Sequence, residues 1–357
     1  MSDEKIKQLQ PFFGKWYYDK KLGQGTFGSV YSIYHDENGV RLYAAMKVLT
    51  IPKSQAEITE MRSQGLNDDD IRTHYERQIR AIISEINIMN HFKGRDHIVC
   101  YEDHKVVRYH DKLKWEIFIR MERLERLDDY LVKKNATRMD ALQMWYDISS
   151  ALSVCHGNAI IHRDIKPDNI LVSENGYYKL VDFGIARHLG QEFAATIAGT
   201  YPYMAPEVQN KQQYDGRADI YSLGIVVYQL LNANRYPFLP PYPQPITVDD
   251  RDRAIALRFS GKQVPPIPGV SPDIMKVLLK SIAFDPKHRY SNIEELLRDV
   301  ASLQIDKQEA NIPLFQGQVN LRKEPDEKTD KLRPWLLALA ISLIVMALLF
   351  LLIYFME

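Results

Sequence analysis

Two runs rich in Tyr, Val and Ile, residues 16–21 and 29–34, flank a glycine cluster and predict a strand, a turn and a return strand. Residues 42–49 read as a further strand, with Lys47 set inside its apolar pattern. Ile82, Ile86 and Met89 recur at spacings of four and three, a buried helical stripe with Glu85 on an adjacent face. Upstream, the Asn67-Asp68-Asp69-Asp70 string marks a helix start, with carboxylates at the positive end of the helix dipole. Residues 52–75 therefore predict a helical lead-in and a partly mobile loop. Residues 116–121 and 178–181 predict strands, and the nearly all-apolar residues 220–231 a buried central helix too short to cross a bilayer.

The last apolar run differs in kind. Residues 335–355 carry no charge, and at about 1.5 Å per residue they reach roughly 30 Å, the thickness of a bilayer's hydrocarbon core. Trp335 and Tyr354 suit the two interfaces, and Lys328, Lys331 and Arg333 precede the run. The expectation is a C-terminal transmembrane helix with everything before it in the cytoplasm. Ala338 and Ser342 give one small-xxx-small pair, which leaves room for a homodimer. Ahead of the span, residues 304–334 read as a flexible polar linker, although Ile312-Pro313-Leu314-Phe315 could dock on the globular part.

Lys plus Arg and Asp plus Glu balance at 46 each, so net charge gives no reason to expect nucleic acid. Cys100 and Cys155 have no metal-ligand spacing and read as ordinary thiols. The first eleven residues are polar and charged, with no apolar core of a signal peptide. Five prolines in residues 236–248 predict a rigid inter-helix loop rather than a polyproline docking motif.

Candidate chemistry comes as a series in fixed order: Gly23-x-Gly25-x-x-Gly28-x-Val30, Ala45-Met46-Lys47, His162-Arg163-Asp164 with Asn169, Asp182-Phe183-Gly184, and Ala205-Pro206-Glu207. The glycines let backbone N–H groups approach phosphate oxygens. A dinucleotide-binding loop would be followed by a helix, whereas the chain after Gly28 continues as strand. A lysine at position 47 is costly to bury unless phosphate and carboxylate pair with it.

In this series the chain resembles the protein kinase family, Ser/Thr branch, over roughly residues 17–303. The resemblance implies an α+β bilobal fold. Residues 17–121 would form a small lobe with an antiparallel sheet, and residues 125–303 a large helical lobe, after an N-terminal extension of residues 1–16. It implies ATP and Mg2+, with Mn2+ able to substitute. Asp164 would accept a hydrogen bond from the attacking hydroxyl, Lys166 would reach the transferred phosphoryl group, and Asn169 and Asp182 would hold the metal. Lys47 would pair with Glu85, preferred over Glu76. Leu22, Gly23, Gly25, Gly28, Val30, Ala45, Met121, Glu122, Leu124 and Leu171 would line the nucleotide site, with residues 122–124 as the hinge. Arg163 would grip a phosphate on Thr196, unless Thr196 is an unmodified loop residue; Thr200 would contact Asp164 and Lys166. Glu207 with Arg289, and Asp219, would be scaffold.

The resemblance also implies Ser and Thr acceptors rather than Tyr, since the tyrosine-specific branch usually has Ala or Arg in place of Lys166. The style of residues 71–131 and 182–187 looks bacterial, pointing to a cell membrane, protein substrates and autophosphorylation. Two alternatives stand beside this: a catalytically weak pseudokinase scaffold at the membrane, and a kinase for a small molecule or lipid. Lys47, Asp164 and Asp182 are all retained, against the first.

Overall fold

Strand β1 (Tyr17–Gly25) pairs antiparallel with β2 (Gly28–Glu37), which pairs with β3 (Val40–Ile51). With β4 (Tyr101–Tyr109) and β5 (Lys114–Met121) they form one antiparallel sheet in the order β1-β2-β3-β5-β4. The computed structural model describes residues 3–25, 28–109, 112–182 and 201–315. Gly28 is demanded by packing: a Cβ there would lie 2.1 Å from the Val48 carbonyl oxygen of β3.

Side chains alternate across β3 as a strand requires. One face contributes Leu49 and Ile51, with Ile117 and Ile119 of β5, to a core shared with α3 (Asp68–His91). That helix begins at a reciprocal cap. Asn67 Oδ1 accepts from the N–H groups of Asp69 and Asp70, both at 2.9 Å, and the Asp70 carboxylate accepts from the Asn67 N–H. Its stripe of Ile71, Tyr75, Ile79, Ile82, Ile86 and Met89 is buried. The loop expected within residues 52–75 is instead a second helix, α2 (Gln55–Ser63), held by buried Ile58, followed by the first turns of α3.

The opposite face of the sheet holds a surprise for the N-terminal extension. Helix α1 (Asp3–Gln8) and the residues after it lay Ile6, Phe12 and Trp16 on Tyr31, Ile33, Ala44, Met46, Val48 and Phe118. The Tyr18 hydroxyl donates to Asp3 at 2.8 Å. Residues 3–16 are thus part of the small lobe.

The chain then enters a helical lobe through β6 (Glu125–Arg126), α4 (Leu127–Lys134) and α5 (Arg138–Gly157). Short strands β7 (Ile170–Val172) and β8 (Tyr178–Leu180) complete a three-stranded sheet with β6. After α6 (Pro206–Gln209), helix α7 (Arg217–Leu231) runs through the centre; every residue from Ala218 to Leu231 except Ser222 is buried. It packs on α5, α9 (Pro272–Ser281) and α10 (Ile293–Ser302). The proline-rich loop before α8 (Val248–Phe259) is pinned by Arg235, which donates to the carbonyls of Pro240 (2.8 Å) and Gln244 (2.7 Å).

The start of the expected flexible linker is folded. Helix α11 (Lys307–Ala310) places Glu309 against Arg138 at 3.1 Å, and Glu309 also accepts from the Ser271 N–H. Beyond it Arg138 N–H donates to the Ile312 carbonyl, Leu314 N–H donates to the Ala136 carbonyl, and the Leu314 side chain is buried. The docking alternative for residues 312–315 therefore holds, because two backbone hydrogen bonds and an apolar anchor act together. No helix among the described residues is long and apolar enough to cross a membrane, and residues 335–355 lie outside them.

Candidate active site

The loop between α5 and β7 is held from below by Asp219 on α7. Its carboxylate accepts from the backbone N–H groups of His162 (2.8 Å) and Arg163 (2.7 Å), and from His156 Nε2 (2.9 Å). Arg163 sits at φ 68°, a left-handed conformation that a non-glycine residue adopts only when its surroundings impose it. The two hydrogen bonds to Asp219 impose it. His162 is buried and its Nε2 meets the Val181 carbonyl at 2.9 Å, tying the loop to the end of β8.

Within this frame Asp164 is the hub. Lys166 Nζ lies 2.9 Å from its Oδ2, and Asn169 Nδ2 donates to both its Oδ2 and its carbonyl oxygen at 2.8 Å. The Asn169 carbonyl in turn accepts from Val181 N–H at 3.0 Å. The next residue is Asp182, at φ 61°, whose Oδ1 lies 2.5 Å from Lys47 Nζ on β3. Asp164, Lys166, Asn169, Asp182 and Lys47 are therefore brought together, from residues 47 to 182, at one cleft between the lobes.

Lys47 differs from expectation in its partner. Its buried ammonium pairs with Asp182, and the ion pairs among the described residues include none between Lys47 and Glu85. Asp182 reaches Lys47 because the left-handed backbone at the end of β8 turns the carboxylate toward β3. Glu85 is buried on α3, beside the stripe that packs under the sheet. The rival Glu76 pairs with Arg108 at 3.4 Å, on the outside of α3.

Several of the other nucleotide-site candidates are neighbours of Lys47 in the sheet. Val30 stands opposite Lys47 and Gly23 in the sheet register, and Ala45 opposite Met121. Gly25 pairs with Gly28 at the hairpin's end. Leu22 and Leu171 are half-buried. At the hinge, Glu122 N–H donates to the Cys100 carbonyl, while the Glu122 carboxylate accepts from Cys100 N–H and from Lys179 Nζ at 2.8 Å. That side chain is thus committed to structure. Arg163 is exposed, its guanidinium 5.4 Å from the Tyr214 ring centre. Phe183, Gly184, Thr196 and Thr200 lie outside the described residues.

The residues fit a hydrated divalent metal. Asn169 uses its amide nitrogen twice on Asp164, which leaves its Oδ1 as an acceptor. The Asp182 side chain is 40% exposed even while paired to Lys47. One amide and one carboxylate oxygen are the hard donors that Mg2+ takes while keeping several waters.

His156 escaped the sequence reading. Nothing in its spacing links it to Asp219, yet it supplies that carboxylate's third hydrogen bond. Gly216 makes room for it: a Cβ there would lie 2.6 Å from the His156 ring.

A model of the protein kinase domain matches residues 16–300. The chain belongs to the protein kinase family. This kinase is 30% identical over 296 residues to the probable serine/threonine-protein kinase PknB of Lactococcus lactis, covering 79% of this chain and 41% of that protein. It is 34% identical over 170 residues to the serine/threonine-protein kinase PknB of Mycobacterium leprae, covering 45% of this chain and 25% of that one. A probable PknB of Bifidobacterium longum is 29% identical over 253 residues, 67% of this chain and 34% of the relative. The chain thus spans less than half the length of these curated relatives.

Proposed function

We propose that this kinase transfers the γ-phosphoryl group of ATP to Ser or Thr hydroxyls of proteins while tethered to a membrane. The observation that carries the reading is the continuous set of contacts Lys166–Asp164–Asn169–Val181–Asp182–Lys47. Asp164 is placed to accept the proton of an attacking hydroxyl as its oxygen bonds to the γ-phosphorus. The bond from that phosphorus to the bridging oxygen breaks, and ADP leaves with the electron pair. Lys166, held beside Asp164, offsets the negative charge that develops on the transferred group. Bound to Asn169 and Asp182, Mg2+ (or Mn2+) would neutralise phosphate charge. Lys47 would hold the remaining phosphates once nucleotide competes for it.

The acceptor class is supported by Lys166, and by the serine/threonine kinase names of the relatives. Autophosphorylation, with Thr196 as the site and Arg163 as its grip, belongs to the same reading, as does pairing of two copies. The charge-free run at residues 335–355 supports a single C-terminal anchor in a bacterial cell membrane, with the kinase on the cytoplasmic side.

The test is transfer of labelled phosphate from Mg-ATP to the protein or to a generic basic polypeptide, followed by phosphoamino-acid analysis. Wild type should give phosphoserine or phosphothreonine and Asp182→Ala background only. Equal labelling by both would falsify the enzyme assignment. Extraction at alkaline pH tests the anchor: full-length chain should stay with the membrane pellet, and chain ending at residue 315 should not.

A further inference from the structure

The end of β3 and the facing sides of α2 and α3 line a cavity of about 220 Å3 that shares no side chain with the Asp164 cluster. That is below the roughly 300–1,000 Å3 of sites for drug-sized ligands, so its scale is that of a small metabolite. The cavity is built into the helix pair and is not slack between loose parts. Buried Ile58 anchors the middle of α2, and Arg62 Nε donates to Asp68 at 2.9 Å, tying the end of α2 to the start of α3. The floor is apolar, with Ile51 and Tyr75 buried and Met61 half-buried.

The rim is dipolar. Helix α2 supplies two carboxylates one turn apart, Glu57 and Glu60, while N–H donors come from Lys53 after β3 and from Gln78 on α3. Glu57 is held in place, its Oε2 accepting the Lys53 backbone N–H at 3.3 Å, and burial followed by the Glu57 charge pushes the Tyr75 hydroxyl up to about 12. Burial lowers the Lys53 pKa, with Glu57 opposing, so that ammonium is already partly stripped of water. The Gln78 amide nitrogen donates to His74 Nε2 at 2.9 Å and keeps a second N–H. Among the described residues no three His, Cys, Asp or Glu side chains converge as a metal site, so the acidic side is not a metal cage. A net cation would meet Lys53 and a net anion would meet Glu57 and Glu60, each a like-charge contact. A molecule that carries both charges on one carbon suits both sides.

We propose that this cavity binds a free α-amino acid with a branched aliphatic side chain. Its carboxylate meets Lys53 and Gln78, its ammonium meets Glu60 beside Glu57, and its side chain lies on Ile51, Met61 and Tyr75. Occupation fastens α2 to α3. The site goes beyond phosphoryl transfer and makes the small lobe a receptor for a metabolite.

The experiment is equilibrium dialysis of the full chain in detergent with labelled L-leucine. Wild type should bind one leucine saturably with a Kd of about 1 mM or tighter. Isoamylamine, which lacks the carboxylate, and 4-methylpentanoate, which lacks the ammonium, should each compete at least about tenfold less well, as loss of a charge-assisted contact implies. Lys53→Met and Glu60→Gln change exposed side chains, so the fold should survive, and each should weaken leucine binding about tenfold or more. Leucine should slow hydrogen exchange in residues 55–63 of wild type and not of the two variants. Absence of saturable binding up to about 10 mM, equal competition by either analogue, or an unchanged Kd in either variant overturns the proposal. Binding is read without nucleotide, so failure here leaves the protein-kinase reading standing, and failure of phosphate transfer leaves this site standing.

Discussion

Arg289 and Glu207, 82 residues apart in sequence, meet in a buried two-pronged ion pair, with Nη1 2.7 Å and Nη2 2.8 Å from the two carboxylate oxygens. The remaining donors of the guanidinium go to the carbonyls of Ala283 (2.7 Å), Phe284 (3.0 Å) and Arg217 (3.1 Å). All five N–H groups are satisfied, the condition under which a buried pair offsets its own desolvation. The pair joins α6, the N-terminus of α7 and the turn before α10.

Glu207→Gln or Arg289→Met should each destabilise the large lobe by about 3–5 kcal/mol, since each leaves a buried charge without its partner. The double variant should cost less than the sum. Urea unfolding of the four proteins checks this, and strict additivity would show that the residues do not act as a pair.

Asp219 should control turnover without touching substrate. Asp219→Asn keeps the shape but loses acceptor capacity for the His162 and Arg163 N–H groups. With a charge-assisted hydrogen bond worth about 1.5–3 kcal/mol, kcat should fall roughly 10- to 100-fold with little change in the KM for ATP. An undiminished kcat would mean that the φ of Arg163 needs no such brace.

The two thiols should behave oppositely. Burial pushes the Cys155 pKa up to about 12, whereas Cys100 is only partly buried. Alkylation of the native protein at pH 8 should modify Cys100 first and Cys155 only on unfolding. Equal labelling of both in the native state would contradict the packing around α5.

Asp215 gives a pH prediction with a definite sign. Hydrogen bonds from the Arg217 side chain lower its pKa below the usual carboxylate value, burial opposing. A depressed folded-state pKa contributes stability above the unfolded pKa of about 3.8, lost as pH falls through the folded value. Asp215 is 56% exposed, so solvent screening limits the effect to about 1 kcal/mol or less. Asp215→Asn should therefore be slightly less stable near neutral pH, and the gap should close below about pH 4. A gap that widens on acidification would reverse the sign.

Much of the Asp164 cluster was legible because it is local: Asp164, Lys166 and Asn169 lie within six residues, so one short string that resembles the protein kinase family carries all three, although Asp219, far along the chain, is needed to brace the loop. The start of α3 was legible for the same reason, since a reciprocal cap needs only Asn67 and Asp70. Lys47's partner was not. Whether its ammonium meets Glu85 or Asp182 depends on how α3 and the end of β8 approach β3, which no spacing records. Likewise the apolar anchors Ile6, Phe12 and Trp16 are too sparse among polar neighbours to show a periodicity, and Leu314 is a lone anchor whose value depends on the backbone of Ala136 and Arg138.

The segment ahead of β1 sets where the molecule can be cut. Trimming to Tyr17, the boundary suggested by the motif series, would strip a greasy slab of six side chains on the back of the small lobe and invite copies to stick to one another. With both versions ending at residue 315, the one that keeps Asp3 onward should stay in solution without aggregating, and light scattering on the two lengths would tell them apart.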